Sequence, residues 1–315
     1  MGRASFVRRV LSVRFAPCAL FVAGVLALVR AGSFSGRSNW RAVRPHGPEA
    51  ALGVILAVVV CAALLGLLVQ PFQVRLVRVL EGYWDRWVLT ARLAGLLARL
   101  QRRRWQALHR RAHGQTGGDR DLRVRADARR RLAAHPPAHV LLPTALGNAL
   151  RAGELSAGER YGLRTLTSWP RIFLQVSDRM SEVLRSTRDA LETAVNFCWA
   201  FLALMGVGTT ALYDEPSQWW LCGAALVLAA VSYKGAVTAA QAYSGLMHVV
   251  YDLHRFDLLD ALHYPLPVDR ASEDVMFSEV SDLFAGVRRQ DRRYNHPGGR
   301  TSESSAQDRD DPSAS

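Results

Sequence analysis

His248, Asp252 and Arg255 fall on one face of a helical stretch, at spacings of four and three, and the pairs His254/Asp257 and Asp260/His263 are each three apart. Three histidines and three aspartates in so short a run could hold a metal ion. The same spacing is that of ordinary ion pairs on a helix surface. No second group of His or Cys at ligand spacing completes a site, so no metal and no other cofactor is assigned. Glu154, Glu159 and Asp178 offer carboxylates, but no placed nucleophile or base accompanies them. No residue is therefore assigned a catalytic, cofactor-binding or metal-ligating role, and an enzyme is not the favoured reading. Cys18, Cys61, Cys198 and Cys222 fall one in each apolar segment, without a Cys-x-x-Cys pair, and read as small packed hydrophobes.

A second set of polar residues lies inside or beside apolar runs: Asn196, Thr209, Thr210, Ser232 and Lys234. A permeation path would use such groups. They are few, and Thr and Ser can bond their own helix. Gly206-Val207-Gly208 sits within an apolar run, with no strand or helix N-terminus to make it a phosphate loop.

The elements that carry these residues are helices. Ala194–Leu212 is an apolar run with one strongly polar side chain, Asn196, and spans ~28 Å, close to the hydrocarbon thickness. It continues an amphipathic helix from Ser177, with Met180, Val183, Leu184, Leu191 and Val195 on one face. The tight loop Tyr213–Gln218 leads to a return helix with Pro216 in its first turn and Trp219 and Trp220 at belt positions. No proline follows until Pro265, so this helix is expected to run on past Asp252. Ala225, Ala229, Ser232, Ala236 and Ala240 form a stripe of small residues that permits close packing in lipid. A homo-oligomer through that stripe is expected; packing within one chain is the competing arrangement.

Leu52–Val69 is an uninterrupted apolar run, ended or kinked by Pro71. Phe15–Val29 is shorter and interrupted by Pro17. It is taken as a first span with arginines at both ends, a secretory signal being the alternative. The loop Gly32–Glu49 carries Arg37, Arg41 and Arg44, which is unusual for an external loop.

The chain of 315 residues has a net charge of +13, and Lys234 is its single lysine, so 39 of the 40 basic residues are arginine. Val74–Arg131 holds 16 arginines against five acidic residues, a net +11, with Leu76, Leu80, Trp84, Trp87, Leu93, Leu97 and Leu100 at roughly helical spacing up to His113. Aromatics among arginines can stack on nucleic acid. Directly after a membrane exit they fit a helix touching anionic lipid, and no nucleic acid is expected. Gly114–Gly118 breaks this helix, and Asp121–Ala134 forms another. Thr144 caps a short helix to about Arg151. Gly153–Pro170 is turn-rich; its aromatics suit either a bilayer interface or a small core. After Pro265 and Pro267, Ser272 caps a last helix ending at Arg288 and Arg289.

Leu142-Pro143-Thr144, Gly147-Asn148, Arg160-Tyr161-Gly162-Leu163, Trp169-Pro170-Arg171 and the run Asp252–Leu258 resemble the corresponding stretches of a group of uncharacterised bacterial multi-pass membrane proteins. The likeness covers roughly residues 71–267. The group carries Arg where this chain has Ala145 and an acidic residue where it has Arg164. The resemblance implies location and architecture, with no activity attached.

The sequence thus predicts an all-α integral membrane protein with about four transmembrane helices and long helical cytosolic extensions. Residues 1–73 form a membrane hairpin with spans near 15–30 and 52–70. Residues 74–176 form a basic, helical cytosolic region. Residues 177–263 form a long hairpin with spans near 194–212 and 219–240. A short amphipathic helix (264–290) and a disordered tail (291–315) follow. The partners expected are the lipid bilayer, anionic lipid through residues 74–131, and a second copy. The location expected is the plasma (inner) membrane with both termini cytoplasmic. A non-catalytic scaffold or regulator is the function favoured, a small ion channel or transporter the alternative.

Overall fold

The computed structural model describes Val13 and residues 15–84, 88–114 and 119–287. The tail expected to be disordered (291–315), Trp87, Arg288 and Arg289 and most of the basic N-terminus lie outside them. Among the described residues the regular elements are all helical: α1 (Ala16–Ala31), α2 (Pro48–Val69), α3 (Gln73–Glu81), α4 (Val88–His113), α5 (Asp119–Ala133), α6 (Ala145–Ser156), α7 (Thr165–Ile172), α8 (Asp178–Ala211), α9 (Trp219–Ala261) and α10 (Arg270–Phe284). Three of them, containing α2, α8 and α9, are long and apolar enough to cross a membrane, and α1 is a shorter apolar helix. At 34 and 43 residues, α8 and α9 reach ~51 Å and ~65 Å, well beyond the ~30 Å of a hydrocarbon core.

The chain divides into two compact units, one of residues 1–156 and 178–247, the other of residues 157–177 and 248–315. In the first, α1 packs along α8 and α2, and Leu28, Ala211 and Leu212 are buried together. A second cluster joins Leu146 and Ala149 of α6 to Leu191 and Val195 of α8 and to Ala236 and Ala240 of α9. The small-residue stripe is therefore used inside the chain: Ala225, Ala229, Ala236 and Ala240 are all buried. A second copy would have to use another face. By contrast Leu52, Ile55, Leu56, Leu64, Leu67 and Leu68 of α2 are exposed, on a helix long and apolar enough to cross a membrane. The loops that follow α1 and α8 lie at the same end of this unit, because the Ser38 amide donates to the Glu215 carboxylate.

Three boundaries differ from the sequence expectation, each for a local reason. The helix expected to run to His113 is broken after Glu81. Gly82 takes φ +96°, and its amide bonds the Arg78 and Val79 carbonyls. Pro71 does interrupt the α-helix as expected: α2 stops at Val69, and a single 3₁₀ turn, Gln70–Phe72, leads into α3. The end of α9 is set by His263 rather than by the prolines. His263 adopts φ +57°, and the Tyr264 amide reaches back 3.0 Å to the Leu259 carbonyl. Finally, Asp269 and not Ser272 is the N-cap of α10. The two form a reciprocal capping box, with Ser272 at the third helical position. The turn-rich stretch 153–170 holds more helix than expected. α6 runs to Ser156, a 3₁₀ turn covers Glu159–Tyr161, and α7 includes Pro170.

The motif Leu142–Asn148 acquires a physical meaning here. Asn148 bridges its own loop, accepting from the Leu142 amide (2.7 Å) and donating to the Leu142 carbonyl (3.0 Å). Thr144 Oγ1 donates to the Glu81 carbonyl (2.7 Å) and accepts from the Gly147 amide (3.0 Å). A Cβ on Gly147 would stand 2.1 Å from the Glu81 carbonyl oxygen. Only glycine lets α6 lie on the end of α3. Gly147→Ala is expected to destabilise the detergent-solubilised protein by roughly 1–3 kcal/mol, a lowered thermal midpoint, because backbone must shift to relieve the overlap. Gly245→Ala, where a Cβ meets nothing within 4 Å, is expected to hold or raise the midpoint. Equal midpoints for the two variants contradict the lock.

Candidate functional site

The second unit places Arg160, Tyr161, Asp252, Arg255 and Glu273 together. The 3₁₀ turn Glu159–Tyr161 presents Arg160 and Tyr161, α9 presents Asp252 and Arg255, and the first turn of α10 presents Glu273. Asp252 Oδ1 accepts from Arg160 and from the Tyr161 hydroxyl, the latter at 2.5 Å. Arg255 Nε donates to Glu273 Oε1 at 2.8 Å. The Arg255 guanidinium also lies 4.4 Å from the centre of the Tyr161 ring and 4.3 Å from that of Phe256. Tyr161 is thus held between two arginines, with Arg160 on its ring at 5.0 Å.

Beneath this bracket is a small core of Leu163, Ile172, Tyr251, Leu259, Phe277 and Val280, each fully buried. Trp169 stacks on Tyr251, so of the two homes open to it, this aromatic takes the small core. The Tyr251 hydroxyl meets Ser168 Oγ at 2.8 Å and donates to the Thr165 carbonyl at 3.1 Å. Ser281 Oγ accepts from the Arg164 amide, and Gly162 packs with φ +79° against the Asp274 carbonyl.

Chemically the bracket is a set of satisfied pairs. Burial, and then the bond to Asp252, push the Tyr161 phenol above its ordinary range, so it stays a donor. Arg160 and Asp252 are about two-fifths exposed, so their pair is heavily screened, whereas Arg255 and Glu273 are 18% and 13% exposed. The structural weight therefore rests on Arg255.

Of the candidates read from sequence, Asp252 and Arg255 enter the bracket, and His248 contributes its carbonyl to Arg160. His254 pairs locally with Asp257 at 2.7 Å. Among the described residues, no three or more His, Cys, Asp or Glu side chains gather as a metal ion requires. Glu154, Glu159 and Asp178 stand on three different elements. Burial pushes the Glu154 carboxyl up, with Arg151 partly offsetting it. Thr209 and Thr210 donate to the carbonyls of Gly206 (2.7 Å) and Val207 (2.8 Å) in their own helix, and Lys234 is exposed. Asn196 is different. It is 8% exposed and lines a cavity of about 220 Å³ between α1, α2, α3 and α8. Glu273 was legible only as a first-turn acid; its pairing with Arg255 needed the fold of α10 onto α9.

Comparison with protein-family models, with curated proteins and with solved structures finds no match. The class is defined by the chain itself: an all-helical protein with three helices long and apolar enough to cross a membrane.

Arg255→Lys keeps the charge but loses the planar fork and the ring contacts. It is expected to speed hydrogen exchange of the α10 amides, Phe277 and Val280 among them, by about tenfold, or ~1.4 kcal/mol of local opening. Arg160→Gln should change the same amides by no more than about fivefold, because its pair is screened. Exchange unchanged in Arg255→Lys contradicts the bracket's role.

Proposed function

We propose that this chain is a multi-pass protein of the plasma (inner) membrane, a non-catalytic scaffold or regulator whose long helices carry a cationic platform on the cytoplasmic face. The observation that supports this best is the pair α4 and α5. The two helices pack on each other. Residues 88–133 hold 13 arginines against three aspartates, a net +10. Leu93, Leu96, Leu100, Leu122 and Val124 remain exposed among them. Apolar side chains interleaved with arginine suit a surface that is both anionic and oily, which is the headgroup region of an anionic bilayer.

The rest of the reading is a four-pass topology. α1 counts as a pass because it packs along α8, and its 16 residues cover ~24 Å with arginines to reach either interface. With four passes, the loops joined by Ser38 and Glu215 are external. Glu215 in that contact also offsets some of the positive charge of the Gly32–Glu49 loop. Both termini, the basic region and the outer parts of α8 and α9 then lie in the cytoplasm, as the arginine distribution favours. The resemblance read from the sequence to bacterial multi-pass membrane proteins implies the same architecture. The channel or transporter alternative is weaker because Thr209 and Thr210 are spent on their own helix and Lys234 does not share the cavity with Asn196.

The test is hydrogen exchange of the full chain in lipid nanodiscs. Amides of α4 are expected to be protected in anionic phosphatidylglycerol discs relative to neutral phosphatidylcholine discs. The protection should fall at high salt and in the triple variant Arg102→Gln, Arg103→Gln, Arg104→Gln. Protection indifferent to lipid charge contradicts the platform. Ion flux in liposomes that depends on Lys234 and Asn196 would instead establish the alternative.

A further inference from the structure

We infer that the cleft between α4 and α5 is a binding site for a phosphate monoester, held by Arg110, Arg111 and Arg125. The group is the same on a lipid, as in phosphatidic acid, and on a soluble compound such as glycerol 3-phosphate. The lipid source rests on the reading of α4 and α5 as a platform for anionic headgroups; the soluble source does not.

Helical spacing gathers the lining residues. Ala107, Arg110, Arg111 and Gly114 follow one another along one face of α4 to its end. Asp121, Val124 and Arg125 repeat the spacing on α5. Together these residues line a cleft of about 510 Å³. Small-molecule sites occupy roughly 300–1,000 Å³. The two helices are tied beside the cleft. Ala112 of α4 and Ala128 of α5 are buried, and Arg129 Nε donates to the Ala112 carbonyl at 3.3 Å.

The cleft is short of negative charge. Three arginines line it against the single aspartate Asp121, a net +2. Asp127, the next carboxylate of α5, is engaged by Arg131 at 2.8 Å. Among the described residues Arg110 and Arg111 form no ion pair. Like charges gathered around a concave surface repel one another and concentrate an attractive field for an anion.

That charge selects the ligand. A single carboxylate or a phosphate diester brings one negative charge and leaves half of the excess. A phosphate monoester carries about −1.5 to −2 at pH 7 and cancels it. It also concentrates that charge on oxygens around one atom, where more than one guanidinium fork can donate paired hydrogen bonds. A dicarboxylate spreads the same charge over two separate carbons. Ala107 and Val124 add a small apolar lining for the carbon skeleton that bears the phosphate.

The experiment is hydrogen exchange of the full chain in nanodiscs, read at the amides of residues 107–113 and 121–125. One arm compares phosphatidic acid discs with phosphatidylglycerol discs of equal total charge. The other adds glycerol 3-phosphate, or succinate as a dianion without phosphate, to neutral phosphatidylcholine discs. Slower exchange with phosphatidic acid alone assigns the monoester to lipid, and slower exchange with glycerol 3-phosphate assigns it to solution; each supports the site. The amount of monoester needed for half the effect is expected to rise about fivefold in Arg110→Gln and again in Arg111→Gln, the upper range for one exposed charge pair. It should fall in Asp121→Asn, which takes the cleft from +2 to +3. That opposite sign separates binding from damage to the fold. No response to either monoester, an equal response to phosphatidylglycerol or to succinate, or a response unchanged in the arginine variants overturns the site. Protection of α4 by phosphatidylglycerol without a monoester response overturns the site and leaves the platform. A response to glycerol 3-phosphate without protection by any anionic disc overturns the platform and leaves the site.

Discussion

Lipid tails are as apolar as leucine, so a bilayer supplies no hydrophobic force between helices. A helical bundle in lipid must be held by close approach and by hydrogen bonds, and that requirement organises this structure. Several close contacts of the first unit are made possible by small residues. A Cβ on Gly24 of α1 would stand 2.7 Å from Leu204 of α8. A Cβ on Gly153 of α6 would stand 2.5 Å from Ser244 of α9, whose hydroxyl donates to the Ala149 carbonyl at 2.8 Å. Ala236 and Ala240 are fully buried where α9 meets α6 and α8. Tyr233 adds its hydroxyl, which accepts from the Leu146 amide at 3.1 Å. Large apolar residues are shared between these clusters and the exposed face of α2.

Outside the apolar runs the means of assembly changes. The second unit has a small core, and charge–aromatic contacts around Tyr161 close over it. Buried hydroxyls of Ser168, Tyr251 and Ser281 are all bonded. This is the logic of a water-facing domain, where apolar burial drives assembly and polar groups must be satisfied. One continuous helix, α9, supplies residues to both kinds of packing. Its sequence changes accordingly, from the alanines of its first half to the Asp252–Leu258 run of its second.

Much of this was legible in the residues, and the reasons are specific. The extents of α8 and α9 could be read because an apolar run and an amphipathic run were joined without a proline or glycine pair to part them. α2 could be read from composition alone. The break at Gly82 could not, since one glycine inside a helical pattern is ordinarily tolerated; only the packing of Pro143 and Thr144 against it reveals the turn. Pro265 and Pro267 suggest the end of α9 from sequence, whereas a left-handed histidine sets it. Helical spacing places Asp252 and Arg255 on one face, but their partners lie about 90 residues before and about 20 after them, beyond any helical period. Asn196 was noted as the polar residue of its span; that it faces a cavity depends on α1 and α2, whose placement no periodicity encodes.

The central claim is the four-pass arrangement with the arginine-rich helices on the cytoplasmic side, and topology reporters measure it most directly. Fusions of paired cytoplasm-active and periplasm-active reporters at Gly118, Ser217 and Ser304 separate the possibilities. The account expects cytoplasmic signal at Gly118 and Ser304 and periplasmic signal at Ser217. A periplasmic signal at Gly118 or Ser304 would contradict it.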